Sequence, residues 1–329
     1  MLDWSRPGYD REGDTPLRYV GSASEGEHPG VTLQKLLLRP RPQGHVIVFA
    51  NEKGGVGKST LAFHCAVALG HAGAQVAVID LDRRQQSLTR VIENRERTGR
   101  CLKIDLPCPH HAVLQEQNGA QLSQEIARIG SNCDFVIVDA AGHDSPVARY
   151  AIALADTLVT PINSSYIDLD LLGKFDPVNG KLKELGHFAR LVVDLHNERI
   201  RLGLKAADWI VAKNRVRRVE KNQQTQIRTA LRKLAPVAGF RVSEGLSERV
   251  VYRELFPFGL THIDLKRIPG LATLRAPREE EITQFMADLG LPFAQPPETK
   301  RIANLKAKVG RELAQKFSAS LHAHAFAGT

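Results

Sequence analysis

The sequence has little cysteine and no long apolar stretch, and each absence excludes a class of protein. Its four cysteines are too few for the disulfide framework of a small secreted domain. No two of them form a C-x-x-C pair, which argues against an iron–sulfur scaffold. No segment approaches the roughly 20 apolar residues that span a bilayer, and the first residues, with Asp3 and Asp10, lack the apolar core of a secretory signal. We therefore expect a cytoplasmic protein.

Repeats and low-complexity segments are also missing. Of the 329 residues, 43% are apolar and 25% are charged, which are the proportions of a soluble globular protein. A disordered chain, a collagen-like fibre and a coiled-coil rod are thereby excluded. The length suffices for one large α/β domain or for two ordinary ones.

Positive charge is unevenly distributed along the chain. There are 45 Lys and Arg against 36 Asp and Glu, a formal net charge of +9. Residues 199–253 hold 14 of the basic residues and 4 of the acidic ones, so the rest of the chain is almost balanced. Such a basic block inside a folded domain is either a face that binds a polyanion or an ordinary solvated surface, and charge alone does not decide between them.

Short apolar runs alternate with helical patterns from His45 onward. The segment 59–73 has the apolar spacing of a helix, in which His64 is expected to pack, and the runs around it are typical of strands buried on both faces. Strands separated by helices indicate βαβ units. The predicted fold is therefore α/β, a doubly wound, mostly parallel sheet flanked by helices. The predicted strands are 45–50, 75–80, 133–142, 156–162 and 208–214.

The ends of the chain differ from this domain, which we place at 45–291. Residues 1–44 contain six Gly and five Pro, which is typical of a flexible leader. Three prolines make 292–299 a predicted linker. Residues 300–329 are predicted to form a basic amphipathic helix followed by a tail.

Three helices near the end of the sequence carry charge patterns. A basic helix over 219–235 is expected to end at Pro236. The segment 279–291 predicts an acidic amphipathic helix. In the C-terminal extension, 300–321 has the pattern of a helix that binds a membrane surface, a partner or its own domain.

The loop between the first strand and the first helix has the composition of a phosphate-binding site. Its sequence is NEKGGVGKST, and Glu52 stands where the strict P-loop pattern has its first glycine. Glycine-rich backbone turns its N–H groups toward phosphate oxygens, and the helix N-terminus adds partial positive charge. We expect Lys58 to neutralise the β- and γ-phosphates, Ser59 to ligate Mg²⁺ and Thr60 to lie near the α-phosphate. The predicted nucleotide-binding residues here are Gly54, Gly55, Val56, Gly57, Lys58, Ser59 and Thr60.

Three aspartates lie at the ends of the second and third predicted strands. Asp80 and Asp82 belong to VIDLD, and Asp139 ends FVIVD. Parallel strands deliver these residues to the same edge as the phosphate loop. Asp139 is placed to hold Mg²⁺ through water, Asp80 is expected near the loop and the metal, and Asp82 is the candidate for orienting the attacking water. A single aspartate of this kind is often only a helix cap, but three together indicate a site for nucleotide hydrolysis.

Lys53, five residues before Lys58, makes this loop resemble the deviant Walker A loop of the ParA/MinD ATPases. Within that group the similarity is greatest to the MipZ family of division-site positioning ATPases, over about residues 45–290. The resemblance implies that Lys53 reaches the partner's phosphates across a nucleotide-sandwich dimer and that Gly54 permits the close approach. Asn214 resembles the position that contacts adenine, although a surface asparagine in a turn is the alternative. The similar stretches are NEKGGVGKST, VAVIDLDRRQQS, CDFVIVD, TPINSSYIDLDLLGKFDPV, DWIVAKNR and RVVYRELFPFGLTHIDL.

The function implied by the resemblance is an ATP-driven dimerisation switch with Lys53, Lys58 and Asp82 as catalytic residues. The dimer would bind DNA without sequence preference, and slow hydrolysis would return the monomer. The implied partners are a second copy, DNA, the centromere-binding protein ParB and the tubulin-like division GTPase FtsZ, which places the protein on the nucleoid. The basic block fits the DNA step independently, because lysine and arginine contact phosphates regardless of sequence. The candidate residues are Lys213, Arg215, Arg217, Arg218, Lys221, Arg228, Arg232 and Arg241.

The chain departs from the group after Asp139, where Ala140-Ala141-Gly142 replaces the usual Thr-Pro-Gly. The change removes a hydroxyl and a rigid proline from the segment that senses the γ-phosphate. Three alternatives to the MipZ-like role remain open: a ParA-type partitioning ATPase, a MinD-like membrane-cycling regulator and a DNA-binding scaffold that no longer hydrolyses ATP.

Overall fold

A parallel sheet of seven strands forms the centre of the molecule in the computed structural model, which describes residues 27–163, 165–176, 178–215, 221–268 and 280–291. The strands are β1 (His45–Phe49), β2 (Val76–Asp80), β3 (His110–Val113), β4 (Phe135–Asp139), β5 (Thr157–Ile162), β6 (Gly173–Phe175), β7 (Leu182–Leu185), β8 (Asp208–Lys213) and β9 (Arg241–Ser243). The sheet has the order β3-β2-β4-β1-β5-β8-β9, and all of its pairs are parallel. Strands β6 and β7 form a separate antiparallel hairpin.

Helices connect the strands and cover the sheet. They are α1 (Pro29–Leu37), α2 (Lys58–His71), α3 (Ser87–Leu102), α4 (Gly119–Gly130), α5 (Pro146–Leu154), α6 (Tyr166–Asp170), α7 (His187–Arg201), α8 (Lys221–Ala238), α9 (Val250–Leu255), α10 (His262–Leu265) and α11 (Glu280–Leu289). A 3₁₀ turn, Phe256–Phe258, follows α9.

The central strands are fully buried because their side chains serve two cores. Along β1, Val46 and Val48 belong to the core that includes residues of α1, α4, α5, α7 and α8. Ile47 and Phe49 belong to the core on the other face, with residues of α2, α3, α9 and α11. This alternation confirms the predicted α/β fold and the five predicted central strands, because a strand between two apolar layers needs apolar residues at every position.

The candidate site lies at the edge of the sheet formed by the carboxyl ends of the strands. The loop after β1 leads directly into α2. Asp80 and Asp139, the last residues of β2 and β4, are register partners, and Phe49 at the end of β1 is the next partner of Asp139. Three adjacent strands thus deliver the loop and two carboxylates to one place.

Two expectations about local structure were wrong, and an edge strand was not predicted. Residues 29–37 of the predicted flexible leader form α1, which packs through the fully buried Leu33. Strand β3, which pairs with β2 at the edge of the sheet, was not predicted, and proline is tolerated ahead of such a strand. Helix α8 continues past Pro236 to Ala238, since a proline one turn from a helix end removes few backbone hydrogen bonds, and Gly239, with φ of 77°, follows.

The predicted linker 292–299 and the basic segment 300–329 lie outside the described residues, as do residues 1–26 of the leader. Within the part of the chain that the structure describes, no helix is long and apolar enough to cross a membrane.

Candidate nucleotide-binding site

The loop between β1 and α2 depends on two glycines in the left-handed region. Gly55 has a φ of 76° and Gly57 a φ of 91°, which residues with a Cβ rarely adopt. At Gly57 a Cβ would also lie 2.1 Å from Nδ2 of Asn214, so a larger residue does not fit. A Cβ at Gly54 would meet no described atom within 4 Å. The loop is therefore tightly packed at Gly57 and open at Gly54.

Lys58, the first residue of α2, reaches back to the loop. Its Nζ donates to the carbonyl oxygen of Lys53 at 3.0 Å, and the side chain is buried. Burial lowers the pKa of the Lys58 ammonium, while the charges of Asp139 and Asp82 act in the opposite direction. A buried ammonium group at a helix N-terminus is well placed to bind phosphate oxygens.

Asp139 is a buried aspartate with one carboxylate oxygen that accepts no hydrogen bond from the described residues. That oxygen, Oδ1, is itself buried. Burial and the neighbouring charge of Asp80 raise the pKa of Asp139 to about 8, against the hydrogen bond from Ser59 and the charge of Lys58. A buried carboxylate oxygen beside a serine hydroxyl is the donor set that Mg²⁺ prefers.

The other two aspartates make local backbone contacts. Asp80 Oδ1 accepts from the N–H of Asp82 at 2.9 Å, and Oδ2 accepts from Leu88 and Thr89 at the start of α3, at 3.1 and 3.2 Å. Burial raises the pKa of Asp80, and these three hydrogen bonds oppose the rise. Asp82 Oδ1 accepts from the backbone of the next loop, and the residue is half-buried. Oδ2 of Asp80 thus orders the start of α3 and Oδ1 orders the turn at Asp82, while Asp82 itself remains accessible.

Lys53 forms an ion pair within its own chain. Its Nζ contacts Oδ1 of Asp168 on α6, and Asp168 is fully buried. Asp168 Oδ2 accepts from the N–H of Asn163 at 2.7 Å. The lysine side chain is about one third exposed, although its ammonium group is bound to a buried carboxylate.

Asn214 and Arg215 hold the loop from the other side. Asn214 Nδ2 donates to the carbonyl oxygen of Val56 at 2.8 Å, and Arg215 Nη1 donates to that of Gly55 at 2.9 Å. Arg215 has a φ of 52°, unusual for a residue with a side chain. The end of β8 is therefore bonded to the loop, and Asn214, buried at 2% exposure, is a structural residue of the site as well as the predicted contact to adenine.

The residues that replace Thr-Pro lie beside the loop. Ala140 and Ala141 are buried, and a Cβ at Gly142 would lie 3.0 Å from Cα of Gly54 and 3.3 Å from Nζ of Lys58. Glu52, at the position of the missing first glycine, pairs with His187 at the start of α7. Burial raises the pKa of Glu52, which the charge of His187 opposes.

The predicted DNA-binding residues do not all share one place. Lys213 is buried and pairs with Glu244 at 2.6 Å, and Arg228 lies 4.0 Å from the same carboxylate. Arg232, on α8, is exposed. Arg217, Arg218 and the side chain of Lys221 lie outside the described residues.

Arg241 is the exception among these basic residues. It pairs with Asp208, the first residue of β8, and its Nη1 donates to the carbonyl oxygen of Asp288 at 2.8 Å. Lys213 ends the same strand, about 16 Å away at ~3.3 Å per residue. Arg241 therefore lies at the opposite end of β8 from Lys213 and fastens α11 to the sheet, while its contact with DNA stays a prediction.

Two contacts of the loop were not predicted from the sequence. Asp168 lies in a stretch that carried the family resemblance, but its contact with Lys53 spans 115 residues of chain. Arg215 was expected only at a DNA face, and its bond to Gly55 spans 160 residues. Neither contact has a local signal, because each depends on strands brought together by the sheet.

Known proteins resemble this chain in fold and in sequence. Apo McdA of Cyanothece superposes with a TM-score of 0.51 at 16% identity, covering 75% of this chain and all of McdA. An ATP complex of a McdA variant gives a TM-score of 0.50 at 16% identity, covering 78% of this chain and all of that one. At this identity the likeness shows the fold alone.

Curated relatives match parts of the chain. The chromosome-partitioning ATPase Soj of Thermus thermophilus is 27% identical over 174 residues, which are 46% of this chain and 70% of Soj. A cytosolic Fe-S cluster assembly factor of Homo sapiens is 44% identical over 48 residues, 15% of this chain and 18% of that protein. The second match spans too little of the assembly factor to say anything of its activity.

The parallel sheet, the glycine loop and the two lysines define a P-loop ATPase of the ParA/MinD type. The family model described as ATPase MipZ matches residues 45–293. The chain belongs to the MipZ ATPase family, which confirms the resemblance seen in the loop. It is therefore a nucleotide-binding enzyme that hydrolyses ATP, whereas the role of each site residue stays a prediction.

Proposed function

We propose that this chain is an ATP-dependent dimerisation switch that binds DNA non-specifically and positions the division site by inhibiting FtsZ. A ParB-like protein recruits the monomer, and the dimer associates with the nucleoid. Membership of the MipZ family supports the cycle, and the charge of the segment 199–253 supports the DNA step.

The contact between Lys53 and Asp168 carries the proposal. The Lys53 side chain is turned to Asp168 on α6 of its own chain and is about one third exposed, so part of it is accessible to a partner chain. In a sandwich dimer, Lys53 leaves Asp168 and binds the partner's phosphates. Lys53 gives up its ion pair with Asp168 in this exchange, and only the phosphate oxygens of bound nucleotide replace that carboxylate as its partner. Dimer formation therefore depends on bound ATP.

Hydrolysis within the dimer uses the residues at the sheet edge. Ser59 and Asp139 would hold Mg²⁺, and the ion would supply charge neutralisation at the phosphates. Lys58 binds the β- and γ-phosphates from the N-terminus of α2. Asp82, accessible and close enough to influence Lys58, orients the water.

The test is DNA binding by the purified chain across a salt series, with ADP and with a non-hydrolysable ATP analogue. We expect binding only with the analogue, with a steep decrease as salt rises. Lys53→Ala is expected to abolish the analogue-dependent binding and the dimer seen by light scattering. Arg128→Ala is the control, since Arg128 is exposed and lies on α4, outside the segment 199–253.

Other results select the other functions. Nucleotide-independent DNA binding without ATP turnover identifies a scaffold, which the loss of Thr-Pro at Ala140-Ala141 would explain. ATP-dependent binding to lipid vesicles identifies a MinD-like regulator. A dimer that binds DNA but does not change FtsZ assembly identifies a ParA-type partitioning ATPase.

A further inference from the structure

Helix α1 precedes the segment that the family model matches and yet packs on the ATPase core. Leu33 is fully buried in the core that includes residues of α5 and α7, and Thr32 is buried beside it. A Cβ at Gly30 would lie 3.0 Å from Oε1 of Glu198 on α7. The helix is thus an integrated element of this chain, although the matched family segment begins at residue 45.

The start of this element is bonded to an arginine of α5. Glu27 is tied to α1 by the Thr32 hydroxyl, which donates at 3.1 Å, and by Lys35. The backbone carbonyl of Glu27 accepts from Nη1 of Arg149 at 3.3 Å. Arg149 is buried, with 5% of its surface exposed, so its position is set by its protein partners, which include the Glu27 carbonyl.

Arg149 in turn holds Asp144 through two parallel bonds. Its Nε donates to Oδ1 at 2.8 Å, and its Nη2 contacts Oδ2. Two bonds in this geometry fix orientation as well as position. Hydrogen bonding to Asp144 and its charge keep the pKa of Arg149 raised against the effect of burial, so the guanidinium stays charged.

Asp144 closes the segment 140–144, here called the switch segment, which links Asp139 to α5. Gly142, in the middle of the segment, lies against Gly54 and Lys58 of the nucleotide loop. The switch segment therefore contacts the phosphate site at one point and α1, through Arg149, at another. It has no proline of its own, and Ala140 and Ala141 offer no side-chain hydrogen bond.

A recess beside the switch segment has a volume of about 10 Å³, roughly the space of one water molecule. Ala141, His143, Asp144, Glu52 and Phe188 are among the residues that line it. Because the segment has no rigid proline, its bond to Arg149, and through Arg149 to the start of α1, fixes the position of Asp144.

We propose that residues 27–37 act as an intramolecular restraint on the switch segment, holding it through Arg149 and Asp144 in the resting arrangement in which Lys53 pairs with Asp168. Release of the restraint favours the nucleotide-bound arrangement. The inference rests on the proposed nucleotide cycle of this site and assigns a regulatory role to a part of the chain outside the family match.

The test displaces α1 by Leu33→Asp, which places a charge at a fully buried position. We expect basal ATP turnover to rise about fivefold or more, the lower range for coupled sites, and hydrogen exchange of residues 140–149 to increase in the ADP state. Leu38→Asp is the matched control, because Leu38 follows the same helix and is 86% exposed. It should change neither quantity.

A second variant tests the same path with α1 in place. Asp144→Asn weakens the paired bonds to Arg149 at a side chain that is about one third exposed, so the fold should persist even if Leu33→Asp does not fold. It should also raise turnover and exchange. If exchange rises only in residues 29–37 and turnover of both variants equals that of the parent chain, α1 merely packs and the proposal is wrong. If no form of the chain, parent included, turns over ATP, the proposed cycle fails, and the exchange of residues 140–149 still decides whether the restraint exists.

Discussion

His64, in the middle of α2, is a buried histidine without a polar partner. Both ring nitrogens lack a hydrogen bond among the described residues, and the ring lies 5.1 Å from that of Tyr252. Burial lowers the pKa of His64 to about 3, and His262 adds to the effect. The side chain therefore packs as a neutral aromatic group, as its apolar surroundings in the sequence predicted.

His64 makes the stability of the protein sensitive to moderate acid. Unfolding returns its pKa from about 3 to roughly 6.5, so below that pH the unfolded state binds a proton that the folded state does not. The stabilisation that comes from keeping His64 neutral is fully present above pH ~6.5. As the pH falls toward 3 the free energy of unfolding decreases progressively, by about 2 kcal/mol at pH 5. We expect His64→Leu to reduce the difference in urea unfolding free energy between pH 7.5 and pH 5 by about this amount. His110→Gln, at an exposed position, should leave the difference unchanged, and an unchanged difference in His64→Leu would contradict the assignment.

The residues of the candidate site could be predicted only where they lie at fixed spacings close together in the sequence. The loop residues from Gly54 to Thr60 are recognisable because glycines and a lysine must occur at fixed distances in the chain to surround a phosphate. Asp139 follows from its place at the end of an apolar strand. The partner of Lys53 could not be found in this way, because Asp168 becomes its neighbour only after β5 pairs with β1.

Helix α10 has only four residues, and a buried network holds it to α2 and α3. Asp264 Oδ1 and Oδ2 accept from Arg95 at 2.7 and 2.8 Å, and the ring of His71 lies 2.7 Å from Oδ1. The same carboxylate caps α10 through Thr261. Burial alone would raise the pKa of Asp264, but the hydrogen bonds and charges of Arg95 and His71 outweigh it and keep the pKa well below its usual range.

Removal of this carboxylate should destabilise the protein strongly. Asp264→Ala leaves Arg95, which has no exposed surface, buried without its counter-charge, and loss of one partner of a buried pair costs about 3–5 kcal/mol. The measurement is the free energy of unfolding in urea at neutral pH. Glu184→Ala, which removes an exposed ion pair with Lys174, is the control and should have little effect. An equally small effect of Asp264→Ala would mean that Arg95 regains solvent or another partner.

The elements that the sequence predicted are those with a long buried pattern. Strands β1, β2, β4, β5 and β8 have apolar residues on both faces, and α2 has an unbroken helical period. The missed elements are short or marginal: β9 has three residues, and β3 is an edge strand whose residues are partly exposed. Helix α1 was obscured by the surrounding Gly and Pro, because its stability comes from Leu33 packing on α5 and α7 rather than from its own composition.

Across the whole molecule, the positive charge of the segment 199–253 is divided between internal and external uses. Arg199 donates to the carbonyl oxygens of Ala153 and Ala155, and Lys213 pairs with Glu244, so both serve the fold. Arg228 and Arg232 of α8 are exposed on the helix surface. The net charge counted along this segment is therefore larger than the charge available to contact DNA phosphates, because some of its basic residues are bonded inside the fold.

This division predicts that arginines of the same segment differ in their effect on DNA binding. Arg232→Ala should weaken binding to any sequence and reduce the slope of log affinity against log salt by about 1, the value for one lost phosphate contact. Arg241→Ala should leave the slope unchanged, because Arg241 is already paired with Asp208 at the far end of β8. The measurement is a salt titration of DNA binding with the ATP analogue, with thermal unfolding of each variant to verify that it is folded. Equal slopes for Arg232→Ala and the parent chain would remove α8 from the DNA face, and a reduced slope for Arg241→Ala would mean that the dimer brings both ends of the strand to the DNA.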